Sequence, residues 1–165
     1  MTKVTLISGS TMGSAEYVAE HMAEILEELG YETEVQHGPD LDSLPREGLW
    51  LVVSSTHGAG DLPENIQPLA EQIESQSPDL SQVLFGSVGI GSSEYDTFCG
   101  AIHKLSRLLV DHGAKRIGEP LEIDVQQHEI PEDPAGEWVK IWATELWFVQ
   151  NNNEQMWITL VRSRY

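Results

Sequence analysis

Short apolar runs alternate along this chain with segments of helical period, and that alternation restricts the fold more than any other feature. Lys3 to Ile7 is β-branched and apolar. Ser14 to Leu29 follows, with Ala15, Val18, Ala19, Met22, Ile25, Leu26 and Leu29 on one helical face and Gly30 placed to stop it. Tyr31 to His37 alternates as a strand does. Leu49 to Ser55 and Val83 to Gly91 are almost wholly apolar, the pattern of strands covered on both faces. The spacing predicts a helix from about Tyr95 to His112, with Phe98, Ile102, Leu105, Leu108 and Leu109 inward. It predicts a last strand in "PLEIDV" and a helix opening at Pro134 and running through Trp138, Ile141, Trp142 and Leu146. Five strand segments interleaved with helices imply an α/β fold, a doubly wound five-stranded parallel sheet with helices on both faces.

The bounds agree. A chain of 165 residues suits one domain, expected over residues 1–147, with 148–165 as an extension of unassigned role. No apolar run reaches the roughly 18 to 20 residues of a membrane span. The N-terminal segment has too little apolar length before its turn to be a signal peptide. One cysteine, Cys99, excludes an intramolecular disulfide and a cysteine zinc site, and a cytoplasmic location is the simplest expectation. The net charge is −18, from 27 acidic and 9 basic residues. Such a surface repels nucleic acid and anionic membrane and attracts basic partners; solubility alone is an equal explanation for it.

In sheets of this kind ligands bind beyond the carboxyl ends of the strands, where strand order reverses. Three segments lie there. "SGSTMGSAE", Ser8 to Glu16, brings backbone N–H groups to a helix start, where the dipole favours an anion. Gly13 lets the backbone come close, Ser10, Thr11 and Ser14 add neutral donors, and the loop has no lysine or arginine. A monophosphate held by hydrogen bonds suits it better than a triphosphate; Ser14 acting only as a helix cap is the alternative. "SSTHGAGDLPEN", Ser54 to Asn65, offers Gly58, Gly60 and the flat ring of His57, which a solvated loop histidine also explains. "GIGSSEYDTFCGA", Gly89 to Ala101, places Tyr95 at a strand-to-helix turn; alternatively Ser92 or Ser93 caps the helix and Tyr95 lies on the surface. A flat apolar ligand would use both rings.

Taken in order, these segments resemble the flavodoxin family over roughly residues 3 to 147. "GSTMGSAEYVAE" is similar to its phosphate loop, "STHGAGDLPEN" to the corresponding loop of the flavin mononucleotide (FMN) domains of diflavin reductases, and "GIGSSEYDTFCGA" to the loop covering the flavin ring. The resemblance implies a flavodoxin-like fold and FMN as cofactor. It places the phosphate on Ser10, Thr11, Met12, Gly13, Ser14 and Ala15. Thr56, His57, Gly58, Ala59 and Gly60 would line one side of the ring, with the Gly58–Ala59 peptide turning toward the reduced flavin N5. Gly91, Ser92, Ser93, Glu94 and Tyr95 would contact the pyrimidine end, with Tyr95 stacked on the ring, and Phe98 and Cys99 count with them among the cofactor-binding residues. Met12 and Ala15 replace hydroxyl residues common in the phosphate loop, and Ser92 replaces a common aspartate. Weaker FMN binding and a shifted potential are the expectation.

The resemblance further implies an electron carrier with no catalytic residue of its own. It would take electrons from a basic flavodoxin reductase and pass them to an acceptor enzyme. Short-chain bacterial members are associated with biotin synthesis, so an iron–sulfur enzyme of the biotin synthase type is one implied acceptor. Two other readings stay open: an FMN-dependent NAD(P)H reductase, against which stands the lack of a second nucleotide-binding motif, and a non-redox binding module with weak FMN affinity. Cys99, in an apolar helix start, reads as packing.

Overall fold

The computed structural model describes residues 2–11, 13–56, 60–94 and 97–150. Its strands are β1 (Lys3–Gly9), β2 (Glu32–His37), β3 (Glu47–Ser55), β4 (Gln82–Gly91), β5 (Lys115–Arg116) and β6 (Leu121–Asp124). The helices are α1 (Ser14–Glu28), α2 (Gln67–Gln76), α3 (Gly100–Asp111) and α4 (Glu132–Gln150), with a short 3-10 turn at Leu41–Ser43. All strand pairs are parallel, in the order β2-β1-β3-β4-β5, and β6 continues along the same edge of β4 as β5. The sheet therefore has five positions, the fifth filled by two short pieces. Chain order reverses between β1 and β3, and that is the switch point at which such sheets bind ligands.

The period of two along each strand divides the core. Val4, Leu6, Leu49, Leu51, Val53, Val88 and Ile90 pack against α1 and α4; Ile7, Trp50, Val52, Val83 and Phe85 pack against α2 and α3. Gly86 of β4 is small because Trp142 of α4 lies across it: a Cβ there would stand 2.6 Å from the indole. The break between β5 and β6 is also closed by α4. Trp142 Nε1 donates to the Ile117 carbonyl at 3.1 Å and Trp138 Nε1 to the Glu119 carbonyl at 3.0 Å, so two carbonyls that lie between the strand pieces find partners.

Several boundaries differ from the sequence expectation. The α3 helix begins at Gly100, not near Tyr95, because Gly100 N–H closes a turn onto the Thr97 carbonyl and Cys99 takes a left-handed conformation at φ 53°. Serines 92 and 93 therefore cap no helix. Leu29, expected inward, is half exposed, since α1 ends at Glu28 and Leu29 closes it. Helix α2 and strand β5 carry too little apolar pattern to be seen, and α4 extends past Trp147 to Gln150.

Candidate functional site

The site lies at the carboxyl ends of β1, β3 and β4, where the three loops singled out by the sequence converge. The first leaves β1 and turns into α1 through Gly13, which occupies the N-cap position at φ 86°, a left-handed conformation that a residue with a side chain adopts only with strain. The cap is thus Gly13 and not Ser14. Ser10, almost fully buried, folds its hydroxyl back to accept the Gly13 N–H at 3.1 Å. Thr11 is exposed, and Gly13 and Ser14 are half-buried. The Ala15 methyl is buried in the core, so only its backbone faces the helix start.

Among the described residues no side chain caps α1, and its first N–H groups are left for a ligand. Among the described residues, chain neighbours aside, the atom nearest a Cβ built on Gly13 would be Tyr17 Cε2 at 3.9 Å, so these leave room over the turn. Uncharged donors, a dipole and an open cradle fit the phosphate of a flavin mononucleotide.

The second loop is tied to both neighbours. Ser10 N–H donates to Asn65 Oδ1 at 3.0 Å, joining it to the first loop. Thr56 N–H donates to the Ile90 carbonyl at 3.0 Å, and Thr56 Oγ1 accepts the Ala101 N–H at 3.3 Å, joining it to β4 and the start of α3. Gly60, at φ 89°, lies against the next turn: a Cβ on Gly100 would stand 3.2 Å from Gly60 Cα. The two loops are packed back to back.

The third loop leaves β4 through half-buried Gly91 and Ser92 to exposed Ser93 and Glu94. Phe98 is half-buried and packs onto the α2–α3 core. Cys99 is fully buried there, where burial first, and then the charges of Glu122 and Asp124, push its thiol up to about 12. Its sulfur is inert packing, as the sequence suggested. Met12, His57, Gly58, Ala59 and Tyr95 lie outside the described residues.

Two residues at the site were not singled out as site residues from the sequence. Asn65 bridges the first two loops. Asp124, at the end of β6, accepts the Ser93 N–H at 3.1 Å and holds the third loop. No local pattern marks either, since each partner is 55 or 31 residues away. Among the described residues no group of three or more histidines, cysteines or carboxylates could hold a metal, and no helix is long and apolar enough to cross a membrane.

Comparison with known proteins agrees with this geometry. A family model described as Flavodoxin matches residues 6–138. The chain is similar to Protein MioC of Escherichia coli, 60% identical over 146 residues that cover 88% of this chain and 99% of that protein. It is 34% identical to Flavodoxin YqcA of the same species over 148 residues, covering 88% and 99%. A solved cysteine-to-serine mutant of flavodoxin from Pseudomonas aeruginosa superposes with a TM-score of 0.80 at 35% identity, covering 87% of this chain and 97% of that one. Sheet order, loop placement and sequence identity lead to one assignment: the chain belongs to the flavodoxin family.

Proposed function

We propose that this protein binds one FMN noncovalently and works as an electron carrier, not as a stand-alone catalyst. The observation that carries the reading is the convergence of three loops at the β1/β3 switch point, pinned by the Ser10–Asn65 and Thr56–Ile90 hydrogen bonds around a helix start that, among the described residues, has no side-chain cap.

FMN, when bound, supplies the one- and two-electron chemistry. The chain's own residues bind and orient. The N–H groups that follow Gly13 would hold the phosphate, with Ser10 shaping the turn from below. Thr56 and Gly60 would set one wall of the ring site, and Gly91, Ser92, Ser93 and Glu94 the other. Asp61, Glu64 and Glu94 are exposed around the loops and would meet a basic reductase. The net charge of −18 adds long-range attraction for such a partner and disfavours a further negative charge on the cofactor.

The donor would be a basic flavodoxin reductase in the cytoplasm. The acceptor would be an iron–sulfur enzyme of the biotin synthase type, a reading that rests on the resemblance to short-chain bacterial flavodoxins. Titration of the purified protein with FMN tests the cofactor: quenched flavin fluorescence at micromolar concentration is expected, and no binding there ends the reading. Incubation with NADPH alone and then with a flavodoxin reductase tests the role. A carrier is reduced only in the second case.

A further inference from the structure

Asp124 is the last residue of β6 and is almost fully buried at 7% exposure. Its Oδ1 accepts two backbone N–H groups, from Ser93 at 3.1 Å and from Gln126 at 3.0 Å. The Gln126 side chain reaches back and donates to Ser92 Oγ at 3.0 Å, and that oxygen also accepts the Glu94 N–H at 3.3 Å. Val125 N–H donates to the Gly91 carbonyl at 2.9 Å. Residues 91, 92 and 93 of the third loop are thus held directly by the segment 124–126 from the sheet edge and Glu94 through Ser92, and the carboxylate that accepts bonds here is that of Asp124.

Hydrogen bonding from the Ser93 side chain, with smaller help from the Gln126 and Ser93 N–H groups and from His128, holds the Asp124 carboxyl below the usual carboxylate range. It is an anion at neutral pH. On the same edge His103 Nε2 lies 2.9 Å from Glu122 Oε2. Asp124 therefore places a fixed negative charge directly behind a wall of the candidate ring site.

We propose that Asp124 is a positioning and charge-setting residue of the flavin site. Its hydrogen bonds shape residues 91–94 for the ring, and its charge weakens binding of fully reduced, anionic FMN relative to oxidised FMN. The inference rests on the FMN reading. A charge close to a desolvated ligand is poorly screened, so opposing a second negative charge there costs more than at the surface. Asparagine keeps an oxygen acceptor for the Ser93 and Gln126 N–H groups and removes the charge, with an NH2 in place of the second carboxylate oxygen; alanine removes both acceptor and charge.

The test compares wild type with Asp124→Asn and Asp124→Ala, each confirmed as folded by circular dichroism. The dissociation constant for oxidised FMN is read from fluorescence quenching, and midpoint potentials from dye-equilibrated spectra. In Asp124→Asn oxidised FMN should bind within about threefold of wild type, while reduced FMN gains about tenfold relative to oxidised. That corresponds to about 30 mV upward in the two-electron midpoint between oxidised and fully reduced FMN. In Asp124→Ala the affinity for oxidised FMN should itself fall about tenfold. An Asp124→Asn potential equal to wild type overturns the charge role, and an Asp124→Ala affinity equal to wild type overturns the positioning role. A wild-type protein that binds no FMN overturns the cofactor reading first, and is told apart by failing before any variant is measured.

Discussion

Asn65 Oδ1 accepts the Ser10 backbone N–H at 3.0 Å, fastening the loop after β3 to the turn that opens α1. Asn65→Ala leaves a largely buried N–H without its partner, a loss worth about 1–3 kcal/mol. Thermal unfolding should record that drop. Asn65→Asp keeps an acceptor but brings a negative charge beside the phosphate loop. It should weaken FMN several-fold while riboflavin, which has no phosphate, binds nearly as before. Equal losses for both ligands would mean that the loop does not face a phosphate.

Gly13 gives a second test of the same cradle. Its φ of 86° admits a side chain only with strain of roughly 1–2 kcal/mol, although the described residues leave room around it. Gly13→Val should weaken FMN far more than riboflavin, because a β-branched side chain blocks close approach of the phosphate. Parallel titrations with the two ligands check this.

The acidic rim predicts how the carrier is recognised. Neutralising Asp61 and Glu64 together should slow reduction by a basic flavodoxin reductase at low salt and leave FMN affinity little changed. The difference from wild type should shrink as ionic strength rises and the Debye length falls to about 8 Å or less. Stopped-flow reduction across a salt series measures it. Wild-type rates throughout would remove this face from docking.

Cys99 predicts a pH effect. Burial raises its folded pKa to about 12, above an unfolded value of about 8.5. Its contribution to stability is therefore complete below about pH 8.5 and is lost progressively as pH climbs toward 12. Cys99→Ser should flatten that alkaline decline in denaturant midpoint. In native wild-type protein at pH 8, alkylation should be slow, and it should become fast once the chain is unfolded.

Gly86 reports on the core behind the site. An alanine there would press its Cβ to 2.6 Å from the Trp142 ring, and overpacking of this kind costs about 1–3 kcal/mol. Chemical denaturation of Gly86→Ala should show that loss, and Trp142→Phe in the same chain should recover part of it.

What the sequence disclosed depends on whether the signal was local. Helix α1 was legible because seven apolar residues share one face and a glycine follows. Strands β3 and β4 were legible as continuous apolar runs. Helix α2 was not, since only Leu69, Ala70 and Ile73 of its ten residues are buried. The start of α3 was misplaced because Cys99 takes a left-handed conformation normally left to glycine or asparagine, and no residue type announced it. The loops of the site were found by their glycines and hydroxyls. Asn65 and Asp124 emerged only when folding brought distant segments together.

The two-piece fifth strand has a consequence for how copies of the protein behave when crowded. An open sheet edge invites another chain to add its own strand. Here the outer edge offers only Lys115–Arg116 and then Leu121–Asp124, with the chain between them committed to the α4 tryptophans. The opposite edge, β2, carries exposed Glu32 and Glu34. Neither side presents a long, flat, apolar ladder. Among the described residues both edges thus carry features that disfavour strand addition by a second copy: one is broken into short pieces and the other bears charge.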